Sequence, residues 1–120
     1  MARVLLVDDD RDALQIRKQI FELHGHLVSS ADNAIGAREQ FLADPPDNVI
    51  LDLRLPDVEV GLALVRDFRS ASPDVNIVVL AGWPADLDGR QEKELVNQIV
   101  SKPARSEVLL NAISRHSGVR

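Results

Sequence analysis

Residues 49–52 read VILD, an apolar run that ends in the carboxylate of Asp52. A short continuous apolar run is typical of a strand that is buried on both faces, so its first charge falls where the strand reaches the edge of its sheet. Residues 3–7 read RVLLV and lead in the same way into three aspartates at positions 8–10. Ligands of open α/β sheets bind at the edge where the strands end. If these two strands are neighbours, four carboxylates lie together at that edge.

Strand-like and helix-like patterns alternate along the chain. The predicted strands are residues 3–7, 26–30, 49–52, 75–81 and 98–101. A helical pattern follows each strand, and it is weakest over residues 85–96, which are highly charged. This alternation predicts an α/β fold with right-handed crossovers, in which a five-stranded parallel sheet carries helices on both faces.

The spacing of apolar residues predicts the inward face of the first helix, and capping residues predict where the first helix ends and the second begins. In the first helix, apolar residues recur at three- and four-residue intervals, at Ala13, Ile16, Ile20 and Leu23. Such spacing predicts that these residues form the inward face. Gly25 is placed to end this helix in a left-handed conformation, and Asp32 is placed to cap the second helix.

Length and composition narrow the class of protein. A chain of 120 residues suits one domain that spans residues 1–120 and buries roughly two-thirds of its unfolded surface. It has no cysteine, which excludes disulfides and thiolate metal sites and fits a reducing cytoplasm. Its longest apolar runs are only as long as a strand, so we expect no membrane span and a cytoplasmic protein. The net charge of −5 without a basic stripe argues against direct nucleic-acid binding by this domain.

The clustered carboxylates favour a particular chemistry. Mg²⁺ prefers oxygen ligands, and it suits a few carboxylates that leave positions open for water. An exposed aspartate beside such a metal is a candidate nucleophile toward phosphorus. Lys102 ends the fifth predicted strand at the same edge, where its charge can pair with Asp52 or with a phosphoryl oxygen. A purely structural alternative makes the aspartates at 8–10 a helix cap, but it explains neither Asp52 nor Lys102.

These residues together resemble the response-regulator receiver domain of two-component signalling, over essentially the full chain. The resemblance rests on Val-Asp-Asp at 7–9, Asp52 with Pro56 four residues later, and Lys102-Pro103 after the fifth strand. It implies a flavodoxin-like, doubly wound sheet with strand order 2-1-3-4-5.

The same resemblance implies roles for individual residues. Asp52 is expected to be the phosphoacceptor, and Lys102 to contact the phosphoryl group. Asp8 and Asp9 are expected to hold Mg²⁺ with Asp52, with Asp8 acting through a water molecule. The backbone carbonyl of Arg54 completes the implied metal ligands.

Three features depart from the family pattern. Ala81 stands at the end of the fourth strand, where the family usually has a Thr or Ser hydroxyl. Ile99 stands three residues before the lysine, where the family commonly has a switching Tyr or Phe. Gly61 lies five residues after Pro56 rather than four. The acceptor and metal residues are therefore retained, while the switch positions Ala81 and Ile99 are atypical.

Three functions remain open at this stage. The first is a phosphoacceptor, not an enzyme in the usual sense, that takes its phosphoryl group from a histidine kinase or phosphotransfer protein. Its output partner would bind the face formed by the fourth helix, fifth strand and fifth helix. The second is a degenerate receiver that binds a partner regardless of phosphorylation. The third is a small phosphatase, because Asp8 and Asp10 have the Asp-x-Asp spacing of the haloacid-dehalogenase type.

Arg54 and Trp83 are predicted to stand at the mouth of the acidic pocket. In the receiver family, the positions two residues beyond the acceptor and two beyond the fourth-strand hydroxyl flank the path of attacking water. Because Pro84 follows it, Trp83 is expected to have extended backbone rather than to lie inside a helix. A surface aromatic that packs over the next helix or meets a partner is the alternative for Trp83.

Overall fold

The computed structural model describes residues 2–117. Its strands are β1 (Arg3–Val7), β2 (Leu27–Ala31), β3 (Asn48–Asp52), β4 (Asn76–Ala81) and β5 (Gln98–Ser101). Its α-helices are α1 (Arg11–Leu23), α2 (Ala34–Ala43), α3 (Val58–Ala71) and α4 (Ser106–Ser117). Two short 3₁₀ turns, Pro84–Leu87 and Gln91–Leu95, lie between β4 and β5. The tail at 118–120, for which the sequence predicts fraying, lies outside the described residues.

The five strands form one parallel sheet in the order β2-β1-β3-β4-β5. This result confirms the predicted fold and strand order. All five residues of β3 and all six of β4 are buried, because helices cover both faces of these central strands. Within the described chain, no helix has both the length and the apolar character that a membrane span requires.

The core consists of two apolar layers, one on each face of the sheet. Alternate residues of β3 point to opposite layers, with Leu51 in one and Ile50 in the other. One layer contains Phe41 of α2 and Phe68 of α3, whose rings stack with centroids 4.4 Å apart. The other contains residues of α1 and α4, among them Phe21. The carboxyl ends of the strands are thereby held in a fixed arrangement.

The predicted helix over residues 85–96 is wrong. Two 3₁₀ turns replace it, and between them Gly89 has a φ of +73°, which a continuous right-handed helix does not allow. Within the segment Leu87 is fully buried and Leu95 is partly buried. Each turn thus contributes one apolar residue to the core without forming a continuous amphipathic face.

Two helix details also differ from the sequence prediction, whereas one agrees. Leu14 and Phe21 are the buried residues of α1. The predicted inward face is wrong at Ile16 and Leu23, which are 59% and 85% exposed, whereas Ile20 is partly buried and packs against the core. Asn33 caps α2 through its side-chain oxygen and the Gly36 N–H, 2.8 Å apart, and Asp32 does not. Gly25 follows α1 with a φ of +86°, as its capping role predicts.

Gly61 lies in the first turn of α3, directly against the strand end. A Cβ placed there would lie 1.8 Å from the carbonyl oxygen of Leu53, a distance no side chain tolerates. The loop between β3 and α3 therefore accommodates its extra residue while the helix keeps a close backbone contact just beyond Asp52.

Candidate functional site

The structure brings Asp8, Asp9 and Asp52 together. Because β1 and β3 are neighbours with Val7 beside Leu51, the residues that follow these positions emerge side by side. One carboxylate oxygen from each aspartate lies within 4.8 Å of the others. Asp8 and Asp52 are 3% and 5% exposed, whereas Asp9 is exposed. The close carboxylates repel one another unless cations intervene.

Lys102 reaches Asp52 from the end of β5, across the intervening strand β4. Its Nζ donates a hydrogen bond of 2.9 Å to Oδ2 of Asp52, and its backbone N–H donates to the Ala81 carbonyl oxygen at 2.9 Å. Burial raises the pKa of Asp52 above its usual value, and the negative charge of Asp8 adds to this effect, while Lys102 opposes it. The Asp52 carboxylate is thus a buried group with one direct cationic partner.

The side chains of Asp8 and Asp10 form different contacts although the two residues are only two positions apart. Asp10 caps α1, since its Oδ1 accepts from the Ala13 N–H at 3.1 Å. Oδ1 of Asp8 accepts from the Asp10 N–H at 2.9 Å, and Oδ2 of Asp8 lies 3.4 Å from Nη1 of Arg17. Helix capping therefore accounts for Asp10 and leaves Asp8 and Asp9 for the pocket. Sequence reasoning missed Arg17, although its position four residues after Ala13 places it on the same side of α1.

A cleft of about 420 Å³ opens between these side chains. It is lined by Asp8, Asp9, Asp10, Ala13, Arg17, Asp52, Leu80, Lys102, Pro103 and Ala104. Its donor set consists of carboxylate oxygens, one of them exposed, and it fits a hard divalent cation that keeps some of its waters. Lys102 stands at the same cleft, where it can neutralise an anion that enters.

The two switch positions carry no hydrogen-bonding side chain. Ala81 is buried at the end of β4, beside Ser101 of β5. Ile99 is partly buried and packs against the core layer that contains Leu51. The structure thus places both residues in β4 and β5, where apolar contacts occupy them.

The described residues that line the cleft do not include Arg54 or Trp83. The Arg54 guanidinium instead donates from Nη2 to Oδ2 of Asp86 at 2.9 Å, which joins the loop after Asp52 to the first 3₁₀ turn. Trp83 is 70% exposed and has extended backbone, with φ −129° and ψ 90°. Its backbone agrees with the prediction from Pro84, and the role of either residue at the pocket mouth stays a prediction.

Comparison with known proteins identifies the class to which this fold and site belong. The family model of the response regulator receiver domain matches residues 4–114. The chain is therefore a member of the response-regulator receiver family, the receiver domain of a two-component response regulator.

Curated relatives agree with this assignment. The chain is 28% identical over 116 residues to the response regulator receiver protein CpdR of Brucella abortus, and the match covers 96% of each chain. It is 35% identical over 78 residues to response regulator MprA of Mycobacterium ulcerans, a match that covers 65% of this chain and 33% of MprA. The chain thus spans about a third of MprA but nearly all of CpdR.

Solved structures show the same fold. A receiver domain protein from Clostridium thermocellum has a TM-score of 0.86 at 25% identity, covering 98% of this chain and 95% of the other. A response regulator from Burkholderia pseudomallei, solved with a phosphorylated aspartic acid, a calcium ion and citrate, has a TM-score of 0.83 at 26% identity. That match covers 99% of this chain and 71% of the other.

Proposed function

We propose that Asp52 is the phosphoacceptor of this receiver and that a phosphohistidine of a kinase or phosphotransfer protein is the donor. The observation that carries the proposal is the buried Asp52 carboxylate at a strand end, bonded to Lys102 and faced by Asp8 and Asp9. An Asp52 oxygen attacks phosphorus, the P–N bond of the donor breaks, and the imidazole takes up a proton as it leaves. The product is an acyl phosphate on Asp52.

Asp8, Asp9 and Asp52 are the residues that would hold Mg²⁺, with the Arg54 carbonyl as a further ligand. Their oxygens already lie within 4.8 Å of one another, and the Burkholderia pseudomallei protein holds a calcium ion together with its phosphorylated aspartic acid. The bound ion would supply positive charge between the carboxylates and the incoming phosphoryl oxygens. The protein's own part is to keep two of the carboxylates buried and fixed in place.

Lys102 is proposed to transfer its contact from Asp52 to the phosphoryl group. Its Nζ lies 2.9 Å from the carboxylate oxygen Oδ2, and the side chain is 39% exposed. A flexible ammonium can follow the negative charge from the carboxylate to a phosphoryl oxygen with little reorganisation. Lys102 would thus stabilise the phosphorylated form as it now stabilises the Asp52 carboxylate.

We propose that phosphorylation of Asp52 changes how an unidentified output partner binds the segment between β4 and β5 and the adjoining face of β5 and α4. Ala81 and Ile99 lack the groups of the usual switch. The Arg54–Asp86 ion pair supports a different link, because it ties a residue two positions beyond Asp52 to the first 3₁₀ turn. A new dianionic group on Asp52 would compete with Asp86 for this guanidinium.

A receiver that binds its partner regardless of phosphorylation is the second candidate. The apolar switch positions Ala81 and Ile99 favour it, because Ala81 has no hydroxyl to donate to a phosphoryl oxygen and Ile99 has no aromatic ring to act as the coupled switch. The phosphatase is less well supported, since Asp10 is engaged as the cap of α1 and Asp8 is paired with Arg17. We further propose that residues 1–120 act as one cytoplasmic domain with no catalytic turnover of a separate substrate and no direct contact with nucleic acid.

Phosphorylation by acetyl phosphate with Mg²⁺, followed by peptide mass spectrometry, separates the three functions. Label on Asp52 that disappears in Asp52→Asn is the expected result. Asp47→Asn, which removes a carboxylate at the opposite end of β3, is the matched control and should be labelled like the parent. Label on Asp8 would favour the phosphatase, and no label on any aspartate would favour the interaction module.

A further inference from the structure

Arg17 is a second cation in the acidic cleft, in addition to Lys102. Its side chain is 14% exposed and the Asp8 side chain is 4% exposed, and Nη1 lies 3.4 Å from Oδ2. A guanidinium this well covered has given up most of its water. The contact with Asp8 is therefore a partly buried ion pair, unlike the largely exposed pair between Arg105 and Glu107.

Helix α1 directs Arg17 toward the cleft. Ala13 lies one turn earlier on the same side, since residues four apart share a helix face, and both residues line the cleft. The residues three and four positions from Arg17 are Ala13, Leu14, Ile20 and Phe21. None of them is acidic, so α1 itself offers Arg17 no ion pair. Its charge is compensated across the cleft, by Asp8.

Both oxygens of Asp8 are already used. Oδ1 accepts from the Asp10 N–H at 2.9 Å, and Oδ2 faces Arg17. A divalent cation that binds Asp8 shares one of these oxygens with its present donor and lies close to the guanidinium, so the two positive charges repel each other. The Arg17 guanidinium and a divalent cation from solution therefore compete for Asp8.

We propose that Arg17 is a positioning residue that serves as the resident counter-ion of Asp8, stabilising the metal-free cleft and weakening its affinity for Mg²⁺. The inference rests on the proposed function only in taking Asp8, Asp9 and Asp52 as the metal ligands. Arg17 then sets the Mg²⁺ concentration at which the site fills. Asp8 keeps its orientation in the absence of metal because Arg17 and the Asp10 N–H hold one oxygen each.

Isothermal titration calorimetry with Mg²⁺ tests this inference on the parent, Arg17→Met and Lys18→Met. Lys18 is the matched control, since it carries the same charge at the next position of α1 but does not line the cleft. Arg17→Met should bind Mg²⁺ about tenfold more tightly, because a nearby positive charge is removed. Lys18→Met should change the affinity by less than about twofold, as expected for a screened charge. Without metal, the melting temperature of Arg17→Met should fall and that of Lys18→Met should not.

Arg17→Lys provides a second measurement that does not depend on the stability of Arg17→Met. It keeps the charge on a shorter side chain that reaches Asp8 less well, so it should bind Mg²⁺ more tightly than the parent, and an affinity no higher than the parent's would overturn the inference. Unchanged or weaker affinity in Arg17→Met would overturn the inference, as would an equal gain in Lys18→Met. Absence of Mg²⁺ binding in all the variants would overturn it too.

Labelling of Asp52 by acetyl phosphate in the same proteins separates the two proposals. A tenfold gain in Mg²⁺ affinity with no label on Asp52 would refute the phosphoacceptor function and support the role of Arg17. Label on Asp52 with no change in affinity would support the function and overturn the role of Arg17.

Discussion

The acceptor edge, formed by Asp8, Asp52 and Lys102, and the segment at residues 84–97 are held in place by different forces. Asp8 and Lys102 directly follow a strand and Asp52 ends one, and the backbone of each strand is bonded into the sheet. The segment at 84–97 has two short 3₁₀ turns and is attached to α3 by arginine side chains. The position of the chemical groups is thus fixed by main-chain pairing, whereas the segment depends on side-chain contacts.

This difference indicates where the molecule tolerates change. A strand end keeps its position as long as the sheet and its two apolar layers are intact, so the acceptor geometry follows from the fold. The segment keeps its position through arginine side-chain contacts and through the packing of Leu87 and Leu95 against the core. Variants can therefore be designed that disturb one region and leave the other unaltered.

Arg69→Met should have the largest effect and should act on the segment. The Arg69 guanidinium donates to the carbonyl oxygens of Val75 and Leu95 at 2.7 and 2.9 Å and to the Asn97 side chain at 2.8 Å. Loss of these donors should lower the free energy of unfolding by about 2–4 kcal/mol in urea denaturation. Arg105→Met, at an exposed pair, should cost less than about 0.5 kcal/mol. Equal losses in both variants would contradict the importance of the Arg69 contacts.

Mg²⁺ should stabilise the acceptor edge by a comparable amount. At about 100 times its dissociation constant, a bound ligand adds about 2.7 kcal/mol to the free energy of unfolding. Thermal denaturation should show this gain in the parent and lose it in Asp9→Ala, because Asp9 is the exposed member of the carboxylate cluster. A gain of the same size in Asp9→Ala would exclude Asp9 from the metal site.

Asp52→Asn should stabilise the metal-free protein at neutral pH. Burial raises the pKa of Asp52 above the unfolded value of 3.8, so the folded state binds the proton more tightly and stability falls as the pH rises through the folded pKa. The gain in melting temperature should therefore be largest above the folded pKa and shrink as the pH falls toward the unfolded pKa. Asp74→Asn, at an exposed site, is the control. A gain that does not depend on pH would rule out the charge of Asp52 as its cause.

Restoring the missing switch groups should have the smallest effect on stability, and its main effect should be on the response to phosphorylation. In the double variant Ala81→Thr with Ile99→Tyr, a hydroxyl can bond a phosphoryl oxygen, an interaction worth roughly 1.5–3 kcal/mol when one partner is charged. Phosphorylation should then produce larger amide chemical-shift changes over residues 82–102 than in the parent. Equal or smaller changes would show that the chain transmits the signal by another route, with the Arg54–Asp86 pair as the next candidate.

The sequence predicts the acceptor edge well because the signal there is local. An apolar run that ends in aspartate marks both the strand and the end at which it reaches the cleft, as residues 49–52 show, although Asp52 itself is buried. The structure brings Asp8, Asp9 and Asp52 together accordingly. Strand order required the family resemblance, since an alternating pattern alone does not determine which strands are neighbours.

The sequence predictions fail for the segment at 85–96 and for part of the inward face of α1, because contacts between distant parts of the chain override the local pattern there. Leu87 and Leu95 suggest a helix, but Gly89 and the arginine contacts divide the segment into two turns. In α1, Leu14 and Phe21 face the sheet and Leu23 does not, because the inward face depends on which side of the sheet the helix covers. Arg17 went unrecognised for a related reason, since its partner Asp8 lies outside the helix.

The ion pairs between α3 and the second 3₁₀ turn make the order of this segment sensitive to ionic strength. Arg90 donates to both carboxylate oxygens of Glu59 at 2.9 Å, and Arg66 pairs with Glu92. The Glu59 and Arg90 side chains are 69% and 37% exposed, and the screening length falls from about 8 Å at physiological salt to about 3 Å at 1 M. Dissolved salt should therefore loosen residues 84–97 while the acceptor edge stays ordered, so the proposed output element can be weakened without any change in sequence.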